Sequence, residues 1–101
     1  RVRVRQRRRR DAMLEALHLH LPDATVHGVA AGLHLLVTLP DGVDDTALAT
    51  RASAAGVLVQ PLSRHRVGSG PPGLVLGYAA HPPDRLREAV AVLGRILAEI
   101  R

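Results

Sequence analysis

This sequence of 101 residues contains no lysine and no cysteine, and Tyr78 is its only aromatic residue. Without lysine, no side chain can form a Schiff base, and no phosphate-binding loop can carry its usual lysine. Without cysteine, the chain has no disulfide and no thiolate metal site. Its core must be aliphatic, and no apolar run approaches the roughly 18 residues of a membrane span. These absences, with the lack of a signal-peptide pattern, favour a cytoplasmic location.

The positive charge is concentrated at one end of the chain. Residues 1–10 hold seven of the fourteen arginines, which leaves seven arginines against nine acidic residues from Asp11 onward. Such a run can bind nucleic acid through phosphate charge, but no aromatic residue lies among the arginines to stack on bases. We therefore interpret residues 1–22 as a severed interdomain helix with an arginine-rich arm, whose packing partner lies elsewhere. The remaining domain comprises residues 23–101.

Hydrophobic periodicity predicts three helices. The first covers residues 11–21 and ends at Pro22, with an apolar stripe of Met13, Leu14, Leu17 and Leu21. The second is capped by Asp44 or Asp45 and ends at Gly56, with Leu48, Ala49 and Ala52 inward. The third follows two prolines that favour a helix start, and its apolar positions recur at spacings of four, three, four and three: Leu86, Val90, Leu93, Leu97 and Ile100.

Alternation predicts strands between these helices. The side chains of residues 33–39 alternate between two faces, which predicts a first strand. Residues 57–60 are predicted as a second strand ended by Pro61, and residues 74–79 as a third. Residues 26–31 are a further short apolar segment, and residues 62–73 a glycine-rich loop. With the element order α-β-α-β-β-α, the prediction is an α/β fold, specifically an α+β sandwich whose three- to four-stranded sheet is covered by helices on one face.

No constellation of side chains indicates catalysis or metal binding. The six histidines lack the i, i+4 pair with a carboxylate that a zinc-binding helix uses. Ser63 and His65 share a loop without a carboxylate placed to orient the histidine. Gly77 lies within a predicted strand, which indicates close backbone approach by another group.

The order of several short motifs resembles the small C-terminal domain of fold-type-I pyridoxal-phosphate aminotransferases. Residues 54–63 read AAGVLVQPLS, a helix–glycine–strand–proline–serine segment, and residues 7–21 resemble the long helix that joins the large and small domains. Within that superfamily, AAGLH at residues 30–34, QPLS at 60–63 and LGYA at 76–79 look most like MocR-type regulators of the GntR family. The resemblance covers essentially the whole chain.

The resemblance implies a parent that fuses a winged-helix DNA-binding domain to an aminotransferase-like domain, forms a homodimer and uses pyridoxal phosphate. It implies partners in the missing large domain and N-terminal DNA-binding domain, with DNA contacted only through the parent. Aligning on Leu76 and Tyr78 places Val75 where aminotransferases usually carry a carboxylate-binding arginine. The resemblance therefore favours a sensing role over transamination. The predicted effector pocket contains Ser63, Arg64, His65 and Arg66.

The sequence leaves two other functions open. The chain can be the small domain of a genuine aminotransferase, or a free-standing nucleic-acid-binding module that uses its arginine arm. If the chain comes from a regulator or from an aminotransferase, its 101 residues hold no catalytic residue, no metal and no covalent cofactor. The resemblance places the cofactor lysine in the large domain.

Overall fold

The computed structural model describes residues 2–29 and 33–101 and contains one four-stranded antiparallel sheet. The strands are β1 (Thr25–Val29), β2 (His34–Thr38), β3 (Gln60–Pro61) and β4 (Gly73–Gly77), in the spatial order β1-β2-β4-β3. In the register of the two central strands Leu36 lies opposite Val75, and on the other side of β4 the partner of Val75 is Gln60. The predicted α+β sandwich is confirmed.

Three α-helices accompany the sheet: α1 (Val2–His20), α2 (Asp45–Ala54) and α3 (Pro83–Ile100). The side chain of Asp44 caps α2 by accepting a hydrogen bond from the Ala47 amide at 3.0 Å. The chain leaves α2 through Gly56, whose φ of +86° lies in the left-handed region that favours glycine. These local signals are why the predicted limits of α2 agree with the structure.

One face of the sheet and the inner faces of the helices enclose a single aliphatic core. On β2 and β4 the even alternation buries Leu35, Val37, Leu74 and Leu76 while Leu36 and Val75 stay partly exposed on the other face. The helices contribute most of the predicted stripe positions together with two that the spacing did not predict, Ala16 and Ile96. The helical residues buried in this core are Met13, Ala16, Leu17, Leu48, Ala52, Leu86, Val90, Leu93, Ile96 and Leu97.

Helices α1 and α3 approach each other closely at Gly94. A Cβ atom built on Gly94 would lie 2.6 Å from the carbonyl oxygen of His20, closer than nonbonded atoms can be. Glycine is therefore required there by packing, although it lowers the helical propensity of α3. The predicted boundary at residue 22 stays a prediction, but Met13 and Leu17 of α1 belong to the same core as α3.

The strand predictions needed several corrections. Residues 57–60 were predicted as a strand that Pro61 ends, whereas the strand is Gln60–Pro61, because the Val57 amide instead bonds back to the Ala52 carbonyl at 2.8 Å. The last strand ends at Gly77, two residues early. Part of the unassigned apolar segment forms β1, and α1 extends back through the arginines to Val2. Residues 30 and 31 of that segment lie outside the described residues.

Candidate functional site

A buried carboxylate joins three separate parts of the chain. Asp45, in the first turn of α2, is 3% exposed. Its Oδ2 atom accepts hydrogen bonds from the backbone amides of Ser63 at 3.1 Å and Gly73 at 3.0 Å, and its Oδ1 atom accepts one from the Ser63 hydroxyl at 2.5 Å. The Thr46 hydroxyl lies 3.4 Å from Oδ1 and 3.2 Å from the Ser63 hydroxyl oxygen. Asp45 thereby fastens α2 to both ends of the loop between β3 and β4.

The balance of environment around Asp45 favours its ionised form. Burial acts to raise the pKa of this carboxyl group, but hydrogen bonds from the Ser63 hydroxyl, the Gly73 amide, the Ser63 amide and the Thr46 hydroxyl outweigh burial. The pKa of Asp45 is consequently held below its ordinary value of 3.8. A buried charge with four donors and no cationic partner in the hydrogen-bond network is stabilised by dipoles rather than by an ion pair.

The four predicted pocket residues occupy the start of this loop. Ser63, Arg64 and His65 belong to a short 3-10 helix (Leu62–His65), and Arg66 follows it. The Ser63 hydroxyl donates a hydrogen bond to Asp45, and the guanidinium group of Arg66 donates to the carbonyl oxygen of Pro71 within the same loop. Arg64 and His65 are exposed and form no hydrogen bond or ion pair with the residues that the structure describes. Their place in an effector pocket stays a prediction.

The outer face of the sheet carries the second candidate feature. Val75 is partly exposed at the centre of β4, and its cross-strand neighbours Leu36 and Gln60 carry no charge. At one end of the same face the His34 ring lies 3.5 Å from where a Gly77 Cβ would be, in ordinary contact. A side chain at position 77 would therefore meet only ordinary contact, and the described residues do not make the close backbone approach predicted at Gly77.

The histidines do not assemble a metal site in the described part of the chain. In residues 2–29 and 33–101 there is no group of three or more histidine or acidic side chains that could hold a metal ion. One pair does interact across the sheet, where the Nε2 atom of His27 lies 2.7 Å from the Thr38 hydroxyl oxygen. That contact joins two neighbouring strands and needs no ligand to explain it.

Residues 2–10 of the arginine arm form the first half of α1. Arg9 donates from Nε to the carbonyl oxygen of His81 at 2.8 Å, which ties the arm to the segment before α3. The other arginines of the arm whose side chains the structure describes are exposed and form no ion pair within the described ranges: Arg5, Arg7, Arg8 and Arg10. Nucleic-acid binding through these side chains is untested and stays a prediction.

Asp45 was considered from the sequence only as an alternative helix cap. A signal for its burial was present, because Asp45 shares the i, i+3, i+4, i+7 stripe of α2 with Leu48, Ala49 and Ala52. A carboxylate on an apolar stripe must find hydrogen-bond donors, which the sequence could not identify. Two of the donors are backbone amides, and these carry no residue-specific signal.

The sequence matches no protein-family model and no curated protein. Among solved structures, it is similar to the α-aminoadipate aminotransferase of Thermus thermophilus, which holds N-(5′-phosphopyridoxyl)-L-leucine, with 28% identity and a TM-score of 0.84 over 97% of this chain and 26% of that one. An archaeal alanine:glyoxylate aminotransferase gives 26% identity and a TM-score of 0.83 over 95% of this chain and 24% of that one. The multiple substrate aminotransferase of Thermococcus profundus is 33% identical, with a TM-score of 0.78 over 90% and 23%.

These similarities confirm an aminotransferase-like domain with the fold of the aminotransferase small domain. The chain spans about a quarter of the length of these relatives, 23% to 26%.

Within the described residues, no helix combines the length and apolar character needed to cross a membrane.

Proposed function

We propose that this chain is the small domain of a longer, pyridoxal-phosphate-dependent protein of the MocR type, a transcriptional regulator of the GntR family with an aminotransferase-like domain. In that protein it would help to form the effector pocket and the dimer, in the cytoplasm. The DNA-binding domain and the large domain would be supplied by other parts of the same polypeptide. The proposal rests on one position of the sheet and is supported by the geometry of one loop.

The observation that carries the proposal is Val75. The resemblance aligns Val75 with the position in the last strand at which aminotransferases usually carry the arginine that binds the substrate carboxylate. Valine cannot form that bidentate pair, and its cross-strand neighbours Leu36 and Gln60 bring no cation to replace it. A protein that lacks this contact at the centre of its outer sheet face is better suited to sensing a ligand than to ordinary transamination.

The residues present do not fit a covalent role toward pyridoxal phosphate. The sequence contains no lysine, so no side chain here can bond to the cofactor aldehyde. When bound, the cofactor acts as an electron sink that stabilises carbanions. In the proposed parent its attachment must come from another part of the polypeptide, and this chain would contribute non-covalent contacts only.

A labelling experiment follows from the missing lysine. Mixing the 101-residue chain with pyridoxal phosphate and then borohydride should leave no pyridoxyl group on any side chain, because the only primary amine is the N-terminal one. Peptide mass spectrometry locates the label, and the same treatment of a lysine-containing protein provides the positive control. A pyridoxyl group on an internal peptide would contradict the expectation.

The loop geometry supports a ligand contact made by Arg64. The carboxylate of Asp45 holds the loop at Ser63 and Gly73, so the exposed Arg64 projects from an anchored 3-10 helix. Arg66 is partly engaged by the Pro71 carbonyl but keeps further donors. Either arginine can supply an anion contact where Val75 supplies none.

The test uses the full-length protein and replaces each loop arginine by alanine. Arg64→Ala and Arg66→Ala should each weaken the response of DNA binding to pyridoxal phosphate and α-amino acids, with about a tenfold shift in the effective ligand concentration for loss of one charged hydrogen bond. The response is measured by fluorescence anisotropy on labelled DNA from upstream of its own gene. Arg95→Ala, an exposed position on α3, serves as the matched control. An unchanged response in both loop variants would count against the pocket.

The alternative is a genuine aminotransferase, favoured by the similarity to aminotransferases at 26% to 33% identity. The two proposals differ in two measurements on the full-length protein. Turnover of an amino acid and a 2-oxo acid, without specific DNA binding, would support the enzyme. Ligand-dependent DNA binding without turnover would support the regulator.

A further inference from the structure

A concave surface lies on the helix-covered side of the sheet, away from Val75 and the loop of residues 63–66. It is a groove of about 370 Å³ between α3 and the segment that links α2 to β3. Its walls are mainly aliphatic, and they include Leu58 and Val59 on one side and Ala89 and Val92 on the other. The volume falls within the range of about 300–1,000 Å³ that is typical of small-ligand pockets.

The groove also reaches an open edge of the sheet at Gly77. The amide of Tyr78 donates to Leu33 toward β2, and backbone groups of successive strand residues alternate in direction. Gly77 therefore directs its N–H and C=O toward the β3 side, as Gly73 does with its amide bonded to Asp45. Because β3 pairs only with Leu74 and Val75, no described residue pairs with Gly77 on that side.

Two opposite charges line the same groove. Arg85 and Glu88 lie one turn apart on α3, and both are exposed. Neither forms an ion pair or hydrogen bond with another residue in the described ranges, although Arg87 and Asp84 on the same helix do pair, at 3.0 Å. The groove thus offers a cation, an anion, one backbone donor and one backbone acceptor around an aliphatic floor.

These features discriminate among ligand classes. A single open residue, Gly77, provides too few backbone groups to bind an added strand, but it suffices for a small molecule. A simple carboxylate would be attracted by Arg85 and repelled by Glu88. A simple amine would be attracted by Glu88 and repelled by Arg85. A zwitterion uses both charges, and an aliphatic body would cover the exposed Leu58, which is 85% exposed.

We propose that the groove between α3 and residues 55–59 binds a free aliphatic α-amino acid, with its carboxylate on Arg85, its ammonium group on Glu88 and its side chain over Leu58 and Ala89. The site is independent of the function proposed above. None of Ser63, Arg64, His65 or Arg66 lines it, and the chain can bind such a ligand whether the parent is a regulator or an enzyme.

The test is a titration of the 101-residue chain with L-leucine, followed through the amide resonances in ¹⁵N-resolved spectra. We expect a saturable shift of the Gly77 amide, with a Kd on the order of 1 mM for so small a ligand. Arg85→Gln should weaken binding about tenfold, the loss of one charged hydrogen bond. Arg87→Gln is the matched control on the same helix, outside the groove, and should bind as the unchanged chain does.

Three analogues isolate the role of each charge. We expect 4-methylpentanoate, isopentylamine and the neutral N-acetyl-L-leucinamide each to bind at least about tenfold more weakly than L-leucine. Ala89→Leu, which places a larger side chain where the ligand's side chain would lie, should abolish binding, and circular dichroism checks that each variant folds. The proposal is overturned if Gly77 does not shift saturably, if folded Arg85→Gln binds normally, or if N-acetyl-L-leucinamide binds as well as L-leucine, which would indicate a peptide segment instead.

Discussion

Leu93→Asp is expected to abolish the folded state. Leu93 is 1% exposed at the centre of α3 and belongs to the one aliphatic core of the domain. The substitution removes a buried leucine, which alone costs about 2–5 kcal/mol, and adds a carboxylate without hydrogen-bond donors. The sum is comparable with the whole stability of a small domain, about 5–15 kcal/mol. Loss of the helical circular dichroism signal and of a cooperative melting transition would show it.

The same change at an exposed leucine provides the control. Leu58→Asp places an identical charge on a side chain that is 85% exposed, so the free energy of unfolding should change by no more than about 0.5 kcal/mol. Urea titrations of both variants measure the difference. If Leu93→Asp melted within a few degrees of the unchanged chain, the assignment of the buried face of α3 would be wrong.

Asp45→Ala is expected to have the next largest effect. It leaves the buried backbone amide of Gly73 and the part-buried amide of Ser63 without their acceptor, and each orphaned donor costs about 1–3 kcal/mol. We expect a total loss of about 3–5 kcal/mol in the free energy of unfolding. Asp45→Asn should lose less, because a carboxamide oxygen can still accept from both amides while its NH₂ group donates to the Ser63 hydroxyl.

The pH dependence of stability gives an independent measure of the Asp45 contacts. The folded pKa of Asp45 lies below its ordinary value of 3.8, so the unfolded chain binds a proton more readily than the folded one. The stabilisation that ionised Asp45 contributes to folding is therefore fully present above about pH 3.8. It is lost as the pH falls from there through the lower folded pKa. Unfolding free energies of the unchanged chain and of Asp45→Asn should accordingly converge in this acidic window.

Asp41→Asn is the matched control, since Asp41 is exposed in the turn before α2 and no described residue pairs with it. It should leave both the stability and its pH profile within about 0.5 kcal/mol of the unchanged chain. Equal stabilities of Asp45→Ala and Asp41→Asn would show that the Asp45 network contributes nothing.

Local patterns predicted most of the elements, and the failures have identifiable causes. The stripe of α3 was predicted from spacing alone, because one apolar face at a helical period has one way to be buried. Residues 57–60 have the composition of a strand, but the amide of Val57 is used by the C-terminus of α2, which delays pairing until Gln60. Gly94 reads locally as a weak point of α3, and only the contact with His20 explains it.

Some features of the candidate sites could be predicted from the sequence, and others exist only in the folded chain. The absence of lysine excludes covalent cofactor chemistry in this chain whatever its fold, and the position of Val75 follows from motif order. The burial of Asp45 and the groove at Gly77 depend on distant segments: residues 45, 63 and 73 meet only after β4 pairs, and the open edge exists only because β3 is two residues long.

Composition and periodicity thus established an aliphatic, lysine-free α+β domain with three helices that each carry an apolar stripe, since these properties depend on side-chain type and near-neighbour spacing. Strand order, the donors around Asp45, the α1–α3 approach at Gly94 and the groove beside α3 became defined only in the folded chain. The physical reason is that backbone amides and carbonyls are the same at every residue. Which of them remain unpaired, and which lie beside a given side chain, is determined by the pairing of segments far apart in sequence.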